Sequence, residues 1–104
     1  LATVTLNIPS AWSSWECVAF AQAAAVPVGN PADVGLLVRI DGTDGPSFTY
    51  RVPDLGAGAV AAASFRSGIT TTGTRTIALR GNRFGSTPVD LLTVFLYARA
   101  FRTS

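Results

Sequence analysis

The side chains that most often carry out catalysis are scarce in this chain of 104 residues. It contains no histidine and one cysteine, so neither a Ser-His-Asp triad nor a Cys-His pair can be assembled from it. A zinc site needs three or four ligands, mostly from cysteine and histidine. The sequence therefore predicts no zinc site and no catalysis of the triad type. Cys17, in an apolar strand-like segment, is expected to be a small buried side chain.

Six carboxylates are the remaining candidates for acid–base chemistry. Two of them could act as the general acid and nucleophile of a glycosidase, but most lie at predicted turns, where aspartate bonds to nearby backbone. The segment Asp41-Gly42-Thr43-Asp44-Gly45 begins like a calcium loop and lacks the later oxygen ligands and the closing glutamate. We therefore expect no catalytic residue, metal or cofactor, and predict that the protein is not an enzyme. The acids are Glu16, Asp33, Asp41, Asp44, Asp54 and Asp90.

Aromatic side chains allow two interpretations. Rings beside polar groups can stack on sugars, whereas rings in cores and subunit interfaces bury large apolar areas. We expect packing to be the role of most of them. Trp12 lies beside Ser10, Ser13 and Ser14 and is the candidate glycan contact.

Length and composition limit which classes of protein this chain can belong to. Residues 1–104 are too few for two cores, and the 48% of hydrophobic residues suits one packed domain. No apolar run approaches the length of about 18 residues that a transmembrane helix requires. The start lacks a methionine and a basic region, so we expect no signal peptide, only a fragment or a processed product. The arginines are spread out, with Arg80 and Arg83 the nearest to a cluster, so we expect no nucleic-acid binding.

Alternation of apolar and polar residues predicts about seven strands and no helix. We expect an all-β, antiparallel β-sandwich, jelly-roll-like or immunoglobulin-like, in which the third and fourth strands form a hairpin across Gly42–Gly45. Loops are predicted at Val26–Asp33, Ser67–Gly73 and Gly81–Ser86. The predicted strands are Thr3–Ile8, Glu16–Ala24, Leu36–Asp41, Ser47–Val52, Ala59–Ser67, Thr74–Arg80 and Thr87–Phe101.

The last predicted strand is apolar on both sides from Leu91 onward. Strict alternation places Phe95, Tyr97 and Phe101 on one face and Leu92 on the other. A strand with two apolar faces must be covered twice, and in so small a chain the second cover is expected to be another subunit. These four residues, Leu92, Phe95, Tyr97 and Phe101, are the candidate oligomer interface.

The order of these segments resembles the C-terminal β-sandwich domains of tailed-bacteriophage virion proteins, which include tail fibres, tail-tip proteins and head-fibre or decoration proteins. The segments that carry the resemblance are Ile8–Glu16, Arg39–Gly42, Phe65–Gly68, Thr74–Arg80 and Leu96–Ser104. It implies a homotrimer located in the virion, whose partners are further copies, other virion proteins and a host surface glycan. The implied function is structural, in host attachment or virion assembly, as part of the tail fibre or tip.

Three alternatives remain open at this point. The first is a capsid decoration or head-fibre protein. The second is a cellular carbohydrate-binding module that binds glycan through Trp12. The third and weakest is a small hydrolase that uses two of the carboxylates.

Overall fold

The computed structural model describes residues 2–28, 31–53, 58–84 and 89–104, with only the backbone described for residues 82–84. Two antiparallel sheets pack face to face, which confirms the predicted all-β sandwich. Within the described residues no helix is present that could span a membrane.

Eight strands form the two sheets. In the first sheet β1 pairs with β7 and β7 with β3, and β3 also pairs with β4 and β5; the second sheet has the order β6-β2-β8. Apart from the hairpin of β3, β4 and β5, each connection passes from one sheet to the other. The strands are β1 (Ala2–Ile8), β2 (Trp15–Pro27), β3 (Ala32–Ile40), β4 (Thr43–Asp44), β5 (Phe48–Val52), β6 (Gly58–Ile69), β7 (Gly73–Phe84) and β8 (Val89–Arg102).

Several strands are longer than the sequence predicts. The loop predicted at Val26–Asp33 is too long, because β2 continues to Pro27 and β3 begins at Ala32. The turn predicted to begin at Gly81 is wrong, because Gly81 pairs with Leu36 in the middle of the first sheet. Neighbouring strands thus hold residues that turn propensity alone assigns to loops. Residues 85–88, where the sequence predicts the start of the last strand, lie outside the described residues.

The predicted hairpin is confirmed, but the turn predicted at Gly42–Gly45 is wrong in its position. Thr43 and Asp44 pair with β3 as β4, and the turn is formed by Asp41 and Gly42. Both residues have positive φ, 48° and 85°, which is the two-residue geometry that matches the twist of the flanking strands. After the turn, the backbone N–H of Gly45 donates to the carbonyl of Val38 at 2.9 Å. A Cβ at Gly45 would clash with Oγ of Ser64, so a residue without a side chain is needed where the chain passes β6.

The core lies between the two sheets and combines small and large side chains. The inner face of β2 carries Cys17 and alternate alanines, whose small size leaves room for the larger side chains opposite. The principal extents are 51 × 20 × 17 Å. Strands of up to 14 residues account for this length, since each residue advances a strand by about 3.3 Å. The larger buried residues include Trp15, Leu36, Val38, Ile40, Val60, Ile69, Ile77 and Leu79.

Candidate functional site: an apolar sheet face

The outer faces of the two sheets differ in chemistry. Residues facing out from β1 and β7 in the first sheet are mostly polar, such as Thr3, Thr5, Thr74 and Arg80. The outer side of β6-β2-β8 instead exposes seven large apolar side chains, which we call the apolar face. These are Val18 and Phe20 of β2, Phe65 of β6, and Leu92, Phe95, Tyr97 and Phe101 of β8.

The apolar face arises from how β2 alternates. Its buried positions are Cys17 and the alanines that follow at every second residue, while Val18 and Phe20 point outward and are 43% and 40% exposed. A sheet with one wet side normally shows polar residues outward. Here the larger apolar residues face outward and the smaller ones inward, so the outer side is apolar although nothing in the described chain covers it.

A β-bulge in β8 brings the predicted interface residues together. Gln22 pairs with Phe95 and Ala24 with Leu92, so Ala23 alone faces two residues, Thr93 and Val94. Thr93 has a φ of 52°, in the left-handed region that accommodates such an extra residue.

The bulge changes which β8 residues share a face. Strict alternation placed Leu92 opposite Phe95, Tyr97 and Phe101, and that prediction is wrong because the extra residue shifts the alternation by one. All four candidate interface residues are exposed, and they lie on one face. The inner side of β8, with Leu91 and Leu96 among others, packs against the core.

The aromatic rings on this face are tilted against one another. The Phe20 ring centroid lies 5.7 Å from that of Phe95 at 57°, and 6.4 Å from that of Tyr97 at 54°. The guanidinium of Arg99 lies 5.1 Å from the ring centroid of Phe101. Tilted pairs are an arrangement that aromatic side chains favour in packed interiors. They do not present the coplanar rings that a flat sugar chain would stack on.

The exposed area of the apolar face is large for a small protein. Its seven side chains are 39–59% exposed. With ~200 Å² for an aromatic side chain and somewhat less for Val18 and Leu92, they expose roughly 600 Å². This is at the upper end of the largest apolar patch found on typical monomers, ~300–600 Å², and such patches are often functional.

A cleft lies beside β6 and β2, and Tyr50 of β5 is the aromatic side chain that lines it. It has a volume of about 660 Å³, and its lining includes Gln22, Ala24, Ala59, Ala61 and Thr93. At its border the hydroxyl of Tyr50 donates to the carbonyl of Ala61 at 2.7 Å and so satisfies a backbone group of the edge strand β6.

Three of the five side-chain carboxylates in the described part of the chain pair with arginine. Asp44 accepts a 2.6 Å hydrogen bond from Nε of Arg39, which lowers the pKa of Asp44. Asp33 pairs with Arg51 at 3.1 Å and Asp41 with Arg75 at 3.5 Å. These pairs join neighbouring strands and turns, which is a structural role.

Asp41 is held further at its turn. Its carboxylate accepts a hydrogen bond from Oγ1 of Thr71 at 2.5 Å, and Arg66 donates to its carbonyl at 3.1 Å. Asp54 lies outside the described residues. The described part of the chain brings together no group of three or more metal-ligating His, Cys, Asp or Glu side chains.

The two tryptophans and the cysteine lie away from the apolar face. Trp12, the candidate glycan contact, is half-buried and packs against the core, and its role in glycan binding stays a prediction. Trp15 is fully buried and its Nε1 donates to the carbonyl of Thr71 at 2.7 Å. Cys17 is buried, and this burial raises the pKa of its thiol.

Sequence reasoning identified the β8 part of the apolar face and missed the parts on β2 and β6. Val18 and Phe20 were placed on a common face of their strand, but nothing in the local pattern says which face turns inward. Phe65 follows a run of alanines that gives no clear alternation. Comparison of the chain with protein-family models, with curated proteins and with solved structures found no match.

Proposed function

We propose that this protein is a non-enzymatic structural component of a bacteriophage virion, and that it assembles with further copies of itself through the apolar face. The observation that carries the proposal is the contrast between a polar outer face on one sheet and an apolar outer face on the other. The polar face is well solvated by water, whereas the apolar face is stabilised when another surface covers it.

The size of the apolar face supports a partner of similar size. A standard protein interface buries ~800 Å² on each partner. The roughly 600 Å² of exposed apolar side chains, with the polar atoms around them, would supply most of this area. Obligate homo-oligomer interfaces are the more apolar class, which favours a permanent partner over a transient one.

The virion setting rests on the resemblance of the chain's segments to phage β-sandwich domains. The elongated shape, 51 Å along the strands and at most 20 Å across, supports a place in a tail fibre or tail tip ahead of capsid decoration. Other virion proteins and a host surface glycan are the further partners in this setting. The homotrimer that the resemblance implies is tested by the same measurement as the self-association.

Sedimentation velocity and native mass spectrometry of the purified chain at micromolar concentration test the self-assembly. We expect a defined homo-oligomer, and a stable monomer would contradict the proposal. The virion setting has its own test, in which proteins of purified particles of the encoding phage are identified by mass spectrometry. We expect peptides of this chain in the particle, and their absence would count against a virion role.

A further inference from the structure

We propose that the apolar face binds a second copy of this chain, packed antiparallel across a twofold axis that passes near Phe95. In this arrangement Asp90 of each copy lies against Arg99 of the other. The inference rests on the proposed self-assembly and names its geometry, which is a dimer in place of the trimer that the resemblance implies.

Two charged residues on the apolar face carry the inference. Asp90 pairs with Val26 and Arg99 with Val18, both at outward positions of β2, so both charges lie on the outer side of β8. Neither takes part in the ion pairs found among the described side chains. Covering such charges without a partner is costly, so the surface that covers this face should bring an acid to Arg99 and a base to Asp90.

The register of β8 on β2 makes these two charges symmetric. Phe95 pairs with Gln22, and Val18 and Val26 are each four residues from Gln22. A twofold axis through the row of Gln22 and Phe95 therefore exchanges the positions of Arg99 and Asp90. Along β8, Asp90 lies five residues before Phe95 and Arg99 lies four residues after it, and the extra residue of the bulge at Thr93 accounts for the difference. Without the bulge the two charges would not be related in this way.

The same axis also brings apolar side chains of the two copies together. Phe20 lies two residues from Gln22 on one side and Ala24 two residues on the other, so the Phe20 ring of one copy falls over the small Ala24 of the other. Tyr97 pairs with Phe20 and Leu92 with Ala24, so Tyr97 of one copy falls over Leu92 of the other. Each contact covers apolar surface that the single chain exposes to water.

A threefold axis along the strands fits the charges less well. Such an axis keeps equivalent residues at one level, so three Arg99 side chains would meet at one height and three Asp90 side chains at another. Like charges at close range oppose association, whereas the twofold gives two opposite-charge contacts. Glu16, the other acid on this side of β2, falls beyond the partner's strand in the twofold arrangement and stays in water.

Charge reversal tests the pairing. In Asp90→Arg the twofold brings two arginines together at each contact, and in Arg99→Asp it brings two aspartates together. We expect each variant alone to dimerise about tenfold or more weakly than the natural chain. Mixed in equal amounts, the two variants restore both contacts in a heterodimer, whose mass equals that of the natural dimer. The double variant Asp90→Arg/Arg99→Asp should dimerise with itself.

The matched control is Arg80→Asp, a charge reversal at an exposed position on the outer face of the first sheet, which should leave dimerisation unchanged. Thermal unfolding of each variant checks that the fold is intact. The pairing is overturned if both single variants dimerise like the natural chain, or if mixing them restores nothing. A natural trimer would overturn the twofold and leave the proposed self-assembly intact, whereas a natural monomer would contradict both.

Discussion

Replacement of Phe95 by threonine should separate self-association from folding. Phe95 is at the centre of the apolar face, is 46% exposed, and contacts the Phe20 ring. Threonine keeps the preference of this position for a strand and removes the ring. We expect the variant to fold as the natural chain does and to lose most of its self-association.

The expected changes in dissociation constant and in stability follow from the exposed and the buried halves of the Phe95 ring surface. The exposed half, ~90 Å², is available to a partner, and at ~25 cal/mol per Å² it contributes about 2 kcal/mol per copy. A twofold dimer contains this contact twice, so the dissociation constant should rise roughly a thousandfold, as an upper limit. The half already buried in the single chain contributes about 2 kcal/mol to folding, which a domain with ~5–15 kcal/mol of stability tolerates.

Sedimentation velocity over a concentration series measures the association, and urea unfolding measures the stability. Thr5→Ala is the control, because Thr5 is exposed on the outer face of the first sheet, away from the apolar face. It should leave the dissociation constant unchanged. A folded Phe95→Thr protein whose dissociation constant lies within about threefold of the natural value would refute the apolar face as the place where copies meet.

Three further predictions concern the single chain. Arg39 lowers the pKa of Asp44 in the folded state, so the pair stabilises the fold above the usual carboxyl pKa, and this stabilisation is lost as the pH falls through the folded pKa. The thermal midpoint of Asp44→Asn should therefore depend less on pH in that acid range. An unchanged pH profile would contradict the role of the pair. The buried Cys17 thiol, whose pKa is raised, should react with a thiol reagent only after urea unfolding, and rapid labelling of the native protein would show otherwise. Gly45→Ala should lower the free energy of unfolding by ~1–3 kcal/mol in urea titration, because its Cβ would meet Ser64 of β6 and, at 2.8 Å, the backbone carbonyl of Val38 in β3. An unchanged midpoint would mean that both strands move aside freely.

Much of the fold could be predicted because its strands follow simple local rules. Leu36, Val38 and Ile40 alternate with other residues and are all fully buried in β3. The hairpin was predicted across Gly42–Gly45 and forms one residue earlier, at Asp41-Gly42, a dipeptide that strongly favours hairpin turns. The alanine-rich β6 was predicted as a strand against its helical propensity, and it is one because β2 pairs along most of its length.

The features that sequence reasoning missed depend on contacts distant in the chain. Nothing in the sequence around Thr93 indicates a bulge. Its left-handed backbone follows from the pairing of β8 with β2, which lies about 70 residues earlier in the chain. Gly81 reads as a turn residue but is held in β7 by β3. The face of β2 that turns inward is likewise decided by the opposite sheet.

The orientation of β2 is itself an argument for assembly. A chain that folds alone gains most by burying its largest apolar side chains, since a phenylalanine yields ~2–3 kcal/mol and an alanine far less. This chain instead buries Ala19 and Ala21 and leaves Val18 and Phe20 half in water. The outer face of this arrangement is stabilised when another surface covers it, and a second copy is the partner that we propose. Folding and assembly are then coupled by mass action, so the thermal midpoint of the natural chain should rise with its concentration while that of Phe95→Thr stays nearly constant.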